Sequence, residues 1–534
     1  MPHIMNRQVL YLSFIWCVSA MFSNTFAQIA PNHFDYMDIF DLQMVSNPEI
    51  SPDGKLVIYE KHQFDVMTDK RMSNLWLIGV DGKGHQPLTS GKKSHGGVQW
   101  HPDGDRFLYV SSEEGSSQLF VYWLDSGRKA SITNLSQSPS QVQWSPKGDQ
   151  ILFRMFVPEP STSIGDIPRP PKGATWEQDA IYIDDAVYRF DGRGYLQKGF
   201  QQIFTVSAEG GAPVQHTDAQ ADHSNVSWSH DGQAILFTAN YSANSEMDPN
   251  NEQIYLMDVS SGQKEQITSN RGPHNQPKMS PSGNMIAFTG YEDRFVGYQQ
   301  SELYIIDIDG SNERVITGSI DLDIGAIHWA GDGKGLYVGY QEKGLAKIGY
   351  LDLDGTLTEL ATNLGSATLG RPYAGGSFSV THQGQFAFSS VTSQRPSQLS
   401  VGSHKGREKP KTLTSYNEEF FETTLVGQVE EFWVSSSVDD FEVHGWIMTP
   451  PDFDPSGSYP LILEIHGGPY SAYGPQFSPE LQLMASQGYV VVYTNPRGST
   501  SYGEEFASYI NGNYPSEDYN DLMDAVDYVV DQGY

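Results

Sequence analysis

One phrase returns seven times between Ile50 and Ser390. It reads ISPDGKLVIYE from Ile50, WHPDGDRFLYV from Trp100, WSPKGDQILFR from Trp144, WSHDGQAILFT from Trp228, MSPSGNMIAFT from Met279, WAGDGKGLYVG from Trp329 and VTHQGQFAFSS from Val380. The turn glycines Gly54, Gly104, Gly148, Gly232, Gly283, Gly333 and Gly384 are spaced by 50, 44, 84, 51, 50 and 51 residues. Each copy has an apolar or aromatic strand end, a Pro/Asp/Gly turn and an alternating strand. A second hairpin follows, such as LWLIGVDGKGHQPLTS or LYIIDIDGSNERVITG. Four strands at a period of about 50 residues predict the blade of a β-propeller, because such a unit buries its faces only against its neighbours. Seven anchors predict seven blades, and the weaker stretch Leu399 to Leu413 leaves an eighth open. The 84-residue interval holds an insertion, 154–200, Pro-rich at first (PEPSTSIGDIPRPP). It reads either as a surface hairpin extension or as a rim excursion able to touch substrate. The Asp-x-Asp-Gly groups at Asp307 and Asp352 are hairpin turns, since the rest of a calcium loop's ligand spacing is missing.

The pattern changes after the last copy. Val429 to Ser436 and Glu442 to Thr449 read as a hairpin around Asp439-Asp440-Phe441, closed by Pro450-Pro451. Leu461 to Ile465 is an apolar strand stopped by His466-Gly467-Gly468-Pro469. A helix is expected over Phe477 to Ser486 and a second strand over Tyr489 to Thr494. The latter runs into Asn495-Pro496-Arg497-Gly498-Ser499. Strand, helix, strand predicts a parallel sheet, whose sites lie at the carboxyl ends of the strands. Two glycines at such an end let backbone N–H groups face a reacting carbonyl, which is what an oxyanion requires, and Gly468 is the preferred donor. Further helices are expected over Tyr502 to Ile510 and Glu517 to Val530, the second with Leu522, Val526, Val529 and Val530 on one face.

His-Gly-Gly-Pro together with Asn-Pro-Arg-Gly-Ser-Thr-x-Tyr-Gly-Glu-Glu-Phe one strand later resembles the catalytic domain of the prolyl oligopeptidase family of serine peptidases, in particular its acylaminoacyl-peptidase branch. The resemblance implies a propeller (28–415) followed by an α/β-hydrolase segment (416–534). It also implies acyl transfer on short peptides or acyl-peptides, with the propeller limiting entry to oligopeptides. On this reading His466 orients the oxyanion loop and is not the triad base. Arg497 either pairs a substrate carboxylate or braces Glu504 or Glu505, with bracing preferred, and Tyr470 and Tyr502 are packing residues. The glutamate pairs Glu113-Glu114, Glu418-Glu419 and Glu430-Glu431 lack the surroundings in which related exopeptidases hold a substrate amine, and none is assigned that role.

The same resemblance demands a Gly-x-Ser-x-Gly followed by Asp and His, and none of the 534 residues forms that motif. The expectation is therefore an incomplete hydrolase domain: a fragment of a longer peptidase, inactive as given, without its Ser-Asp-His triad. A non-catalytic propeller that binds peptide or protein, and an esterase on the same scaffold, remain as alternatives.

Met1 to Gln8 with Arg7, an apolar run Val9 to Phe22 and Thr25-Phe26-Ala27 read as a signal peptide, 1–27, directing export to the periplasm or the medium. Its removal takes away Cys17, the single cysteine, so no disulfide is expected. No later run is long enough to anchor the chain in a membrane. A formal charge of -32, from 33 Lys and Arg against 65 Asp and Glu, repels nucleic acid. No metal spacing and no phosphate loop occurs, so no cofactor is expected, and the partner is a peptide substrate. Nothing in the sequence fixes the oligomeric state.

Overall fold

At every copy of the repeat the turn glycine has a left-handed φ, between 67° and 87°. Its N–H donates to the carbonyl three residues earlier, on Ser51, His101, Ser145, Ser229, Ser280, Ala330 and Thr381 in turn. Only glycine takes that φ without a Cβ penalty, which is why the position recurs. In this computed structural model, which describes residues 32–160, 165, 170–176, 181–406 and 408–534, each turn joins an inner strand to a second, antiparallel one. Five separate four-stranded antiparallel sheets result, over 44–87, 95–131, 139–215, 223–266 and 274–315. An eight-stranded sheet over 324–412 comprises two further four-strand sets, joined at Leu364 and Ser390. The Leu399 to Leu413 stretch supplies outer strands of the last set, pairing onto Gln385–Thr392, and starts no set of its own.

The core lies between adjacent sheets. Leu108, Val142, Trp144 and Phe153 fill one such gap, and Ala287, Ile305, Ile327 and Val338 another. A cluster of Val45, Val57, Tyr59, Ala387 and Leu399 packs the last set against the first. Ser397 Oγ donates to Val45 O at 2.7 Å and Ile50 N–H donates to Ser379 Oγ at 2.9 Å, which ties the ring shut. The recurrent tryptophan spans neighbours: Trp100, Trp144 and Trp329 donate their indole N–H to Glu49 O, Gln99 O and Lys278 O of the preceding sheet.

The insertion leaves between the paired strands Gln150–Pro158 and Gly199–Ser207, and its described part carries the short hairpin Arg189–Phe190 with Gly194–Tyr195. Parts of it, and the expected signal segment 1–27, lie outside the described residues. No helix among the described residues is long and apolar enough to cross a membrane.

After the helix Glu418–Thr423 comes a four-stranded sheet in the order Gln428–Ser435, Glu442–Thr449, Val490–Asn495, Leu461–Ile465. The expected parallel pair is present, with Leu461 beside Val490 and Ile465 beside Thr494. Val490–Asn495 is buried throughout and apolar over its first three residues, because both its faces are covered. Val491 and Tyr493 pack with Leu481 and Ala485 of the helix Pro479–Ser486, while Val490 and Val492 pack with Ala525 and Val529 of the helix Asp518–Asp531. Ser478 caps the first of these helices, its Oγ accepting from Leu481 N–H, with Pro479 at the position that needs no donor. In the second, Leu522, Ala525 and Val529 face inward and Val530 faces solvent, so the buried stripe is rotated from the one expected. The expected Tyr502 to Ile510 helix is the single turn-and-a-half Glu504–Ser508. Residues 32–42, which the sequence assigns to the propeller, pack at the junction instead: Phe34 and Leu42 meet Phe421, Val426 and Phe477.

Candidate active site

Parallel pairing of Leu461–Ile465 with Val490–Asn495 brings both carboxyl ends to one side of the sheet, so the loops His466–Tyr470 and Pro496–Ser501 lie together. His466 is buried and tied at both ring nitrogens, Nε2 2.9 Å from Ser499 Oγ and Nδ1 3.2 Å from Gly467 O. Its ring stands edge-on to Tyr473, and burial holds its pKa below the ordinary histidine value. The pair has the atoms of a serine–histidine dyad but not its accessibility. Ser499 is 1% exposed and its Oγ lies 2.7 Å from Pro496 O, to which it donates. Among the described residues no carboxylate partners His466. The contact is a tie between the two loops.

The tie turns the glycines outward. Both are exposed. Gly467 N–H donates to Tyr373 Oη at 3.3 Å, whereas Gly468 N–H has no partner among the described residues. Gly468 has φ +131°, and a Cβ there would lie 3.3 Å from Ser471 Cβ, so the position favours glycine on both backbone and steric grounds. A free N–H at a strand's carboxyl end, in a loop locked from beneath, is a pre-aimed hydrogen-bond donor.

Arg497 departs from both roles expected of it. It is 5% exposed and its Nε and Nη2 each donate to Asp521 at 2.8 Å; Nη1 and Nη2 reach Asp439 at 3.1 and 3.2 Å, and Nη2 also donates to Ser436 Oγ at 3.0 Å. The Arg497 N–H donates to Asp521 as well. Both carboxylates take a bidentate fork, and Asp521 is the stronger partner because its contacts are shorter and it is fully buried, whereas Asp439 is half-exposed. The guanidinium holds the loop to the hairpin and the last helix, and at 5% exposure it faces those carboxylates and not a substrate. Glu504 turns away from it, pairing instead with Arg294 of the propeller. Tyr470 stacks on Tyr298 at 5.5 Å, and Tyr502 Oη accepts from Asn495 Nδ2, as packing residues would.

Three contributors escape sequence reasoning. Tyr373 arrives from the connection between the last two propeller sets, bridges to Tyr473 and touches the glycine loop. Arg371 Nε lies 2.7 Å from Glu464 Oε1, which also accepts from Tyr473 Oη, so a second propeller residue braces the strand that carries the loop. Asn495, fully buried, accepts from Tyr473 N–H and donates to Tyr473 O. Only Asn495 had a local signal, standing first in Asn-Pro-Arg-Gly-Ser. No group of three His, Cys, Asp or Glu side chains among the described residues is placed to hold a metal.

The sequence profile described as the Prolyl oligopeptidase family matches residues 475–534. The uncharacterized peptidase YuxL of Bacillus subtilis is 31% identical, over 92% of this chain and 75% of that protein. Dipeptidyl-peptidase 5 of Porphyromonas gingivalis is 27% identical, over 96% of this chain and 74% of that one. Among solved structures, acylaminoacyl peptidase of Pyrococcus horikoshii superposes with a TM-score of 0.76 at 20% identity, covering 93% of this chain and 72% of its own. That likeness is one of fold, a propeller followed by a hydrolase.

Proposed function

Because the chain belongs to the prolyl oligopeptidase family, we propose that it acts as a serine-type peptidase on short peptides or acyl-peptides, with the His466–Pro469 loop as the oxyanion side of its site. The observation that carries this reading is the exposed, unpartnered Gly468 N–H above the buried His466–Ser499 tie. In acyl transfer that N–H donates to the carbonyl oxygen of the scissile bond as it gains negative charge, and His466 keeps the donor aimed without exchanging a proton with substrate. The four-strand sets read as seven blades, with Tyr373 of the propeller at the edge of the loop. Acyl transfer also needs a nucleophile and a base, and the 534 residues contain no Gly-x-Ser-x-Gly, so this stretch alone is expected to hydrolyse nothing.

The test compares the product of the complete gene with the 534-residue chain on an acyl-peptide and on a simple ester. Expected are acyl-peptide hydrolysis by the former, sensitive to a serine-directed fluorophosphonate, and no turnover by the latter. Hydrolysis of the ester alone would replace the reading with the esterase one. A folded gene product inert to both would leave the propeller as a binding module. The reading includes export, and the mature amino terminus is expected at Gln28 by N-terminal sequencing.

A further inference from the structure

The inner strands keep one register through six of the seven sets, the last pairing Ser379 with Ala387 one residue nearer its turn, and this aligns a ring of side chains on the axis of the propeller. The residue just before the Trp or aliphatic strand end pairs with the same position of the second strand each time: Glu49 with Ile58, Gln99 with Leu108, Lys278 with Ala287, His328 with Tyr337. Gln143, Ser227 and Ser379 complete the ring. A cavity of about 800 Å³ is lined by six of these seven, Ser227 being turned to Pro277 O. It adjoins the Pro102 and Pro146 turns, at the opposite end of the inner strands from Tyr373 and the hydrolase segment.

The repeat makes this ring symmetric in backbone and the sequence makes it asymmetric in charge. Glu49 stands in the first set and Lys278 in the fifth, three sets away round the closed ring, while His328 in the sixth stands next to Lys278 and two sets from Glu49. Among the described residues, nothing donates to the Glu49 carboxylate, nothing accepts from Lys278 Nζ, and neither ring nitrogen of His328 has a partner. The three side chains are half-buried along the cavity, and ionisable groups partly withdrawn from water without partners are costly to keep charged. Burial, with Glu60 adding repulsion, pushes the Glu49 carboxyl up to about 8, and burial pulls the Lys278 ammonium down. Glu49 and Lys278 thus gain from a ligand that brings the opposite charge, and His328, whose pKa burial lowers to about 4, offers a neutral ring N–H beside Lys278.

We propose that this mouth is a binding site for a short peptide with both termini free, its ammonium at Glu49 and its carboxylate at Lys278 and His328. A cation alone leaves Lys278 unmatched and an anion alone leaves Glu49 unmatched, whereas a zwitterion answers both. A residue adds about 3.3 to 3.6 Å of extended chain, so two to four residues span charges that face each other across such a cavity. The amides of Gln99 and Gln143 line the path between them, Gln143 anchored by donating to Val226 O at 2.7 Å. The site goes beyond the peptidase reading and does not depend on it.

Isothermal titration of the 534-residue chain with triglycine tests it. Expected is saturable binding of one peptide per chain, weakened at least tenfold by acetylating the amine, and again by amidating the carboxyl. Glu49→Gln and Lys278→Met are each expected to cost about tenfold while Lys278→Arg retains binding. Equal affinity for the doubly blocked peptide would overturn the proposal, and needs no variant to fold. Unchanged affinity in folded Glu49→Gln and Lys278→Met proteins would overturn it as well. Loss of peptide hydrolysis in the gene product with this binding intact would count only against the peptidase reading.

Discussion

The propeller and the hydrolase segment solve the same problem, holding strand ends and turns in place, by opposite means. In the propeller each turn is closed by its own residues: a left-handed glycine donates to a carbonyl three positions back, seven times over. In the hydrolase segment each loop is closed by something distant. His466 meets Ser499 33 positions on, Arg497 meets Asp521 24 positions on, and Gly467 meets Tyr373 of the propeller, 94 positions away. Local closure tolerates the loss of one copy because the others persist. Distant closure concentrates the stability of a loop in one pair of side chains.

The sharpest way to break that contrast is Asp521→Ala. It strands a 5%-exposed guanidinium beside the more exposed Asp439 alone, and a loss of about 3–5 kcal/mol is expected in urea unfolding followed at the hydrolase segment. A loss below about 1 kcal/mol would mean that the loop is held elsewhere.

Acid should strike the propeller as well, through its buried histidines. His223 is fully buried, between Gln201 O and Tyr241 Oη, and burial lowers its pKa to about 4. The unfolded chain, with histidine near 6.5, then binds more protons than the folded one between those values. Stability contributed by the neutral ring is present above pH 6.5 and declines as pH falls toward 4, by on the order of 3 kcal/mol. Chemical denaturation at pH 7 and pH 4.5 measures this, and His223→Phe is expected to flatten part of the slope.

Single turn glycines should matter less. At Gly283, with φ +75° and nothing within 4 Å of an added Cβ, Gly283→Ala is expected to cost about 1–2 kcal/mol of backbone strain. Gly148→Ala carries the same strain plus a Cβ placed 1.9 Å from His101 Nε2, so its melting temperature should fall further. Equal losses would show that the His101 ring swings aside freely. The smallest effect is expected from Tyr373→Phe, which removes one exposed 3.3 Å hydrogen bond to the glycine loop: about 0.5–1 kcal/mol or less in thermal unfolding.

The two regions also differ in how openly the chain declares them. Turn, strand and hairpin of each propeller set are legible because the same residues meet the same φ and the same register, so repetition averages out local ambiguity. The parallel pair of the hydrolase segment is legible too, since a short strand with four apolar residues of five, followed by His466 and two glycines, allows little else. Arg497 was not. Its neighbours Glu504 and Glu505 are near in sequence, but the bidentate acceptor it needs stands on a helix that reaches it only when the sheet is assembled. Nor does anything near Tyr373 or Arg371 announce a role at a loop almost a hundred residues downstream.

What the sequence by itself determined is therefore the set of local closures: glycine where φ must be positive, alternation where a strand has two environments, and a donor-bearing glycine pair after Ile465. What only the tertiary structure decided is which side chains are free. Arg497 is consumed and Gly468 N–H is left open, and of the seven residues at the equivalent place in the inner strands, Glu49, Lys278 and His328 face the cavity without partners. Whether a polar group has a partner depends on atoms brought close through space, and a linear pattern carries that information only when the partners lie within a turn of each other.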